Sequence, residues 1–445
     1  MKRPVLILVA IVLGFALGLL PLVAHAATHV ASHALAASPI NSGDTSWVLA
    51  SAALVMLMTP ALGFFYGGLV RHKNALSTIM HSFFILCLIS VQWVLWGYSL
   101  AFGPDHAHLI GGLDWVGLHN VSISQPDPFG YAPTIPHQAY MAFQMMFAVI
   151  TPALITGAFA ERKRFKAYVI FSLLWSTFIY DPLAHWVWGY NGWLRNLGAL
   201  DFAGGSVVHM SSGISALVAA KMLGPRVGLG EERMEPHDAT YVVLGAALLW
   251  FGWFGFNAGS AVAAGTLATS AFVVTNTATA MAALTYLTVS WFAKGQPSAL
   301  GAAIGAVCGL VAITPASGFV DVSGAIIIGI GAGVICYYSA QLKNLLKADD
   351  ALDVFACHGM GGTWGALATG LFATTAINSA GSGLIDGNAK QILFQLADIG
   401  ATWIYCGVGT FILLKITNAI VPLRVEEHEE VLGLDMSQHG ETAYG

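Results

Sequence analysis

The sequence predicts an all-α polytopic membrane protein of eleven transmembrane helices, arranged as a 5+5 inverted repeat with one helix left over. Three observations carry this. Of 445 residues, 56% are hydrophobic and 9% charged, so the chain lacks the polar surface that a soluble protein needs. Its mean hydropathy of +0.71 agrees. Eleven apolar stretches then follow residue 46, each long enough, at about 20 residues, to cross a hydrocarbon core. Lys and Arg fall on alternate connections, the pattern produced when cytoplasmic loops hold the positive charge.

Taken in order, the chain opens on Met1-Lys2-Arg3, an apolar run from Val5 to Val23 and Ala24-His25-Ala26. This reads as a secretory signal peptide, residues 1–26, cleaved near Ala26. The polar, Ser-rich stretch 27–46 is then extracytoplasmic. The membrane domain, 47–420, comprises spans at Trp47 to Leu69, Ala75 to Phe102, Gln138 to Ala160, Ala167 to Trp188, Gly204 to Leu223 and Ala239 to Ala258. The rest run from Thr266 to Ala293, Ser298 to Thr314, Val322 to Leu342, Val354 to Thr374 and Ile392 to Ile420. A cytoplasmic tail, 421–445, follows.

The 18 basic residues test that orientation. Lys2 and Arg3 belong to the signal peptide and only Arg195 and Lys390 fall outside. The others, from Arg71 through Arg162, Lys163, Arg164 and Arg226 to Arg424, lie at inner loops or inner span ends. An odd number of spans puts the fifth and the tenth in opposite directions. Spans one to five and six to ten can therefore be inverted-topology repeats, at about 47–223 and 239–377, with related residues meeting near the midplane.

Two such residues are histidines. His209 and His358 each sit in an otherwise apolar span, and in each case a glycine, Gly213 or Gly362, follows four residues later on the same helical face. The glycine lets another helix or a small solute approach. Intramembrane histidine is costly enough to need a reason. Alone, each is most simply read as interhelical glue, as is His81 in span two; two in matching frames point to a shared role. Two imidazoles are fewer ligands than zinc takes, and no cysteine or carboxylate stands at metal-site spacing from either, so no metal or cofactor is expected. Ser211 and Ser212 neighbour His209, but adjacent residues on a helix diverge, which argues against a hydrolytic Ser-His dyad and against an enzyme. No basic patch is interleaved with aromatics, so no nucleic-acid partner is expected. The five cysteines, Cys87, Cys308, Cys336, Cys357 and Cys406, fall inside apolar spans rather than forming a disulfide framework.

Longer motifs then become specific. Phe143-Gln144-x-x-Phe147, Gly157-Ala-Phe-Ala-Glu-Arg162, Ala184-His-Trp-Val-Trp188, Gly198-Ala-Leu-Asp-Phe-Ala-Gly-Gly-x-Val-Val-His209, Gly252-Trp-Phe-Gly-Phe-Asn-Ala-Gly-Ser260 and Asp353-Val-Phe-x-x-His358-Gly together resemble the ammonium transporter (Amt/Mep/Rh) family. The match extends to the tail, Gly433 to Tyr444, and Trp188 favours the bacterial Amt branch. The resemblance implies an ammonium transporter fold, a homotrimer in the cell inner membrane with one pore per protomer, and ammonium or ammonia as substrate. It implies an outer recruitment site of Phe147, Trp188 and Ser260, a gate of Phe147 and Phe256, and a pore lined by His209 and His358. Asp201 and Trp253 are expected to support these groups. It also implies a tail that couples protomers and a possible PII-type nitrogen-signalling partner at the inner mouth. Asp181 has no role assigned by the resemblance.

These roles fit elementary chemistry. Ammonium and potassium share size and charge, and aromatic faces attract both, by roughly 0.5 to 2 kcal/mol. The Ser260 hydroxyl offers an acceptor that only an N–H donor uses. Taking a bare ion deeper costs many kcal/mol, which ammonium escapes by giving up its proton and potassium does not. The histidines are then a neutral pair sharing one hydrogen bond, one ring donating and the other accepting. A competing reading is an ammonium sensor that signals through its tail and a PII-type protein; flux separates the two.

Overall fold

The structure, a computed structural model, describes residues 40–444. The expected signal peptide and most of the 27–46 segment lie outside the described residues. Helices stand at all eleven expected places. Nine, among the described residues, are long and apolar enough to cross a membrane: α1 Ser42–Leu69, α2 His72–Phe102, α3 His137–Phe159, α4 Phe165–Leu197, α5 Gly205–Leu223, α6 Ala239–Gly259, α7 Thr266–Lys294, α9 Val322–Leu345 and α11 Lys390–Ile420. Two are shorter: α8, Ala299–Ile313, and α10, a π-helical turn Phe355–Met360 continued by Gly361–Phe372.

The first helix starts five residues before the Trp47 expected from hydropathy. The Asn41 side chain accepts from the backbone N–H groups of Gly43 (2.8 Å) and Asp44 (3.1 Å), so a capping residue sets the boundary. α1 packs most extensively on α6. A Cβ at Gly245 would stand 2.5 Å from the Phe65 backbone, and one at Gly252 2.7 Å from the Leu54 carbonyl. Glycine at this seam lets two membrane helices approach backbone to backbone, which compensates for the weak hydrophobic drive inside lipid.

Connections gather at two opposite ends. At the tail end, Arg71 pairs with Glu161 (2.7 Å) and Arg226 with Asp349 (2.9 Å), and Arg164 Nη2 reaches Glu429 of the tail (3.4 Å). The tail is folded onto this end. Its short α12, Glu427–Leu432, leads to Asp435, whose carboxylate accepts from the backbone N–H groups of Leu76 (3.0 Å) and Ser77 (2.7 Å), capping the start of a helix some 360 residues earlier. At the far end, the long 103–136 connection carries a two-residue hairpin, β1 Asp105–His106 with β2 Ile110–Gly111. The Phe202 N–H donates to the Pro315 carbonyl there (3.1 Å), and Thr374 N–H to Phe319 (2.9 Å).

Candidate functional site

At the far end a cavity of about 200 Å³ is lined by Tyr140, Gln144, Phe147, Trp188, Arg195 and Ser260 among others. Trp188, on α4, donates its indole N–H to the Asp201 carbonyl (2.8 Å) and stands edge-on to Phe147, centroids 6.0 Å apart at 85°. The Ser260 hydroxyl donates to the Phe256 carbonyl (2.8 Å), which leaves its oxygen lone pairs as acceptors. Arg195, not anticipated as a lining residue, has its charge occupied by the Trp188 carbonyl (2.8 Å) and lies 5.8 Å from the Tyr131 ring.

From this cavity a ladder of rings descends into the bundle. Phe147 stacks on Phe256 (4.1 Å, 27°), Phe256 on His209 (5.9 Å, 26°) and His209 on His358 (5.3 Å, 29°). The two Nδ1 atoms are 3.3 Å apart, and both rings are buried. Two facing Nδ1 atoms bond only if one carries a proton and the other does not. Trp253 backs the pair: its ring stacks on His209 (5.3 Å, 23°), while its indole N–H is fixed by the Thr314 hydroxyl (2.9 Å). Beside the histidines is a cavity of about 10 Å³, lined, apart from those two rings, by apolar side chains such as Leu62, Ile150, Val208 and Val307. Leu62, Val307 and His358 also border a third cavity of about 30 Å³ toward the tail end.

Each histidine rides on a π-helical turn at the opening of its helix, Gly205–Met210 or Phe355–Met360. Such turns re-aim side chains at functional sites. The glycines four residues on are reciprocal. A Cβ at Gly213 would lie 2.0 Å from the Gly359 backbone nitrogen, and one at Gly362 would lie 3.1 Å from the His209 Cβ. Each glycine thus admits the other histidine's segment.

Asp201 anchors the His209 segment. Its carboxylate accepts from the N–H groups of Gly204 (2.8 Å), Gly205 (2.6 Å), Ser206 (2.8 Å) and Val207 (3.3 Å), so it is a helix cap and also, through its carbonyl, the support of Trp188. Asp350 does the corresponding work for His358, eight residues earlier as Asp201 is for His209: it accepts from Phe355 N–H (2.7 Å). Asp353, with which the second motif opens, instead pairs with Lys343 (2.7 Å). The spacing Asp-x₇-His occurs in both segments and was the available signal for Asp350. Asp398 and Gln395 of α11 had no such signal. Asp398 accepts a short hydrogen bond from the Ser206 hydroxyl, and Gln395 bonds both the N–H (2.7 Å) and the C=O (2.9 Å) of Leu200, holding the loop that carries Asp201.

The remaining singled-out residues lie elsewhere. Asp181 is buried and accepts from Gln92 Nε2 (2.8 Å), joining α4 to α2. His81 packs its ring on Tyr168 (4.4 Å) and Phe165 (5.9 Å), and its carbonyl accepts from the Tyr168 hydroxyl (2.6 Å). Ser211 and Ser212 turn their hydroxyls back onto the carbonyls of Val207 and Val208 (2.6 Å each), away from any dyad with His209. At the tail end, burial pushes the Lys163 ammonium down to about 7, its chain enclosed by Phe159 and Phe171 at 5.0 and 4.9 Å. Burial, then the neighbouring Asp353, push the Asp350 carboxyl up to about 6.

Comparison with known proteins decides the family. Residues 46–444 match the model of the Ammonium Transporter Family. The chain belongs to the ammonium transporter family. It is 52% identical over 407 residues to the Bacillus subtilis ammonium transporter, covering 91% of this chain and 99% of that one. It is 47% identical to Amt1 of Archaeoglobus fulgidus, over 91% and 100% of the two chains. Among solved structures, Mep2 of Candida albicans superposes with a TM-score of 0.83 at 38% identity, over 91% of each chain. The fold is accordingly that of the ammonium transporters, and the chain is a multi-pass membrane transporter rather than an enzyme.

Proposed function

We propose that this ammonium transporter family member recruits ammonium at Phe147, Trp188 and Ser260, passes it through a gate formed by Phe147 and Phe256, and strips its proton beside His209 and His358. The observation that carries this reading is the buried Nδ1–Nδ1 pair at 3.3 Å, set at the foot of a ring ladder and flanked by apolar side chains. A cation entering that zone loses its water and gains no counter-charge, a cost of many kcal/mol. Aromatic faces return roughly 0.5 to 2 kcal/mol each. Ammonium alone among ions of its size removes the charge instead of paying for it, by transferring a proton to a waiting nitrogen and continuing as ammonia, while the proton crosses separately by way of the ring pair and leaves on the same side, so that one charge crosses with each ammonia. The unpartnered Nε2 of His209 is one such nitrogen when the shared proton sits on its Nδ1.

In this reading the tail end is cytoplasmic, because Arg71, Lys73, Arg162, Lys163, Arg164, Arg226 and Arg424 collect there, and the membrane is the cell inner membrane. The matched construction of the two histidine segments supports a 5+5 inverted repeat with α11 as the additional helix. The chain works as a homotrimer, in which lipid and partner copies cover exposed apolar side chains such as Phe251, Leu284 and Ile404. The folded tail offers a surface for a PII-type regulator.

The test is the current evoked by ammonium in proteoliposomes, for the natural protein and for His209→Asp. The natural protein gives an ammonium current without a potassium current, and the variant, with a fixed acceptor for any cation, admits potassium. Equal ammonium and potassium currents in the natural protein would overturn the reading, and absence of any ammonium flux would favour a sensor.

A further inference from the structure

We propose that Cys308 and Cys357 form a binding site for a soft, two-coordinate metal cation of the d¹⁰ class, with mercuric ion as its probe. Cys308 is on α8 and Cys357 on the π-helical turn of α10, and their sulfurs are 3.5 Å apart. Both are buried. They border the cavity of about 30 Å³ that begins at His358, together with Cys336 of α9 and, at its tail-end rim, Asp353.

Size, ligand type and charge select the ion. A cavity of this volume holds one small body without a hydration shell. Hard cations such as magnesium part with water reluctantly and seek oxygen, whereas thiolate sulfur selects soft ions. Among the described residues, no three His, Cys, Asp or Glu side chains are grouped to hold a metal, so tetrahedral zinc is disfavoured and a linear two-sulfur ion is not. With metal–sulfur bonds of about 2.3 Å, the zinc–thiolate value, the two sulfurs would stand about 4.6 Å apart. The pair must then part by about 1 Å, into the adjoining cavity. The step balances without oxidant or reductant: Hg²⁺ takes both sulfurs, two S–H bonds break, and two protons leave. Its product is uncharged, which matters where charge is expensive.

An ion held there lies on the path from His358 to the tail end and stops transport; this consequence, unlike the site, rests on the proposed function above. Cys87 and Cys406 do not border the cavity, and Cys336 reaches it from α9 beside Cys308, so a Cys87→Ala/Cys336→Ala/Cys406→Ala background removes the other thiols. On that background, in proteoliposomes exposed to mercuric chloride and washed, we expect retained mercury, a mercury–thiolate ultraviolet band, and loss of most of the ammonium current, recovered with dithiothreitol. Adding Cys308→Ala or, separately, Cys357→Ala abolishes retention, while Cys308→Ala keeps its ammonium current. Mercury retained equally by either variant overturns the site. Mercury retained by the background with its current undiminished leaves the site standing and sinks the conduction path instead.

Discussion

The His209 and His358 segments are built alike and anchored differently. Both open on a π-helical turn, both have an aspartate eight residues ahead of the ring, and each contributes a glycine that admits the other. Asp201, however, is engaged by four backbone N–H groups, and its segment is further tied to α11 through Ser206 and Asp398. Asp350 accepts from Phe355 through one oxygen, and its Oδ1 has no partner. A carboxylate with four donors is a finished cap, whereas a buried one with an unpartnered oxygen carries a desolvation cost. The difference teaches that the half beside the cavity lined by Trp188 and Ser260 is tied by more hydrogen bonds, while the half facing the tail end keeps a buried carboxylate oxygen without a partner.

The largest effect that would break this picture of two interlocking halves comes from removing both rings. His209→Leu/His358→Leu should lower the ammonium current about a hundredfold or more, the low end of what a positioned proton acceptor supplies, with the protein still assembling. An unchanged current would remove proton transfer from the account.

Next, the two glycines differ in clearance, which sharpens the comparison. Gly213→Ala meets backbone at 2.0 Å and must push the His358 segment away, whereas Gly362→Ala meets its nearest atoms at 3.0 and 3.1 Å. Overpacking of this kind costs about 1 to 3 kcal/mol, so Gly213→Ala should lower the melting temperature in detergent clearly more than Gly362→Ala. The reverse order would contradict the packing described.

Asp350 gives a pH-dependent contrast. Burial raises its pKa in the folded protein to about 6, above the ordinary 3.8 of an aspartate, so the native state binds the extra proton and stability from this group is full at low pH and lost as pH rises through about 4 to 6. Two units correspond to about 3 kcal/mol. Asp350→Asn should therefore match the natural protein near pH 4 and melt higher near pH 7. Asp201→Asn, which weakens a satisfied cap, should melt lower at both. Identical pH profiles for Asp350→Asn and the natural protein would remove the asymmetry.

The smallest effect belongs to the cavity lined by Trp188 and Ser260. Ser260→Ala removes one acceptor worth about 0.5 to 1.5 kcal/mol, so the ammonium concentration for half-maximal current should rise between about two- and tenfold, with the maximal current kept. A fall in maximal current instead would place Ser260 in the gate.

Much of this was legible in the sequence. Hydropathy and charge alternation placed helices where the structure has them, nine of those described being long and apolar enough to cross a membrane, since bilayer thickness constrains length so tightly, and the two histidines in matching frames are the pair that the structure brings together. Boundaries were less legible: the Asn41 cap was readable as a residue, but hydropathy weighs Trp47 above it. What a single chain pass does not reveal is contact across hundreds of residues. Asp435 capping α2, Gln395 clamping Leu200 and Asp398 on Ser206 use ordinary polar residues whose meaning exists only once the helices are packed. Cys308 and Cys357, 49 positions apart, likewise meet only through the crossing of α8 and α10.

The account turns on a dry passage that only a deprotonable cation can use. Its most direct test replaces ammonium by rubidium, then potassium, at equal concentration on proteoliposomes of the natural protein, with internal pH and current recorded together. The account predicts a current for ammonium alone, with none for either permanent cation. A rubidium or potassium current comparable to that of ammonium would contradict it.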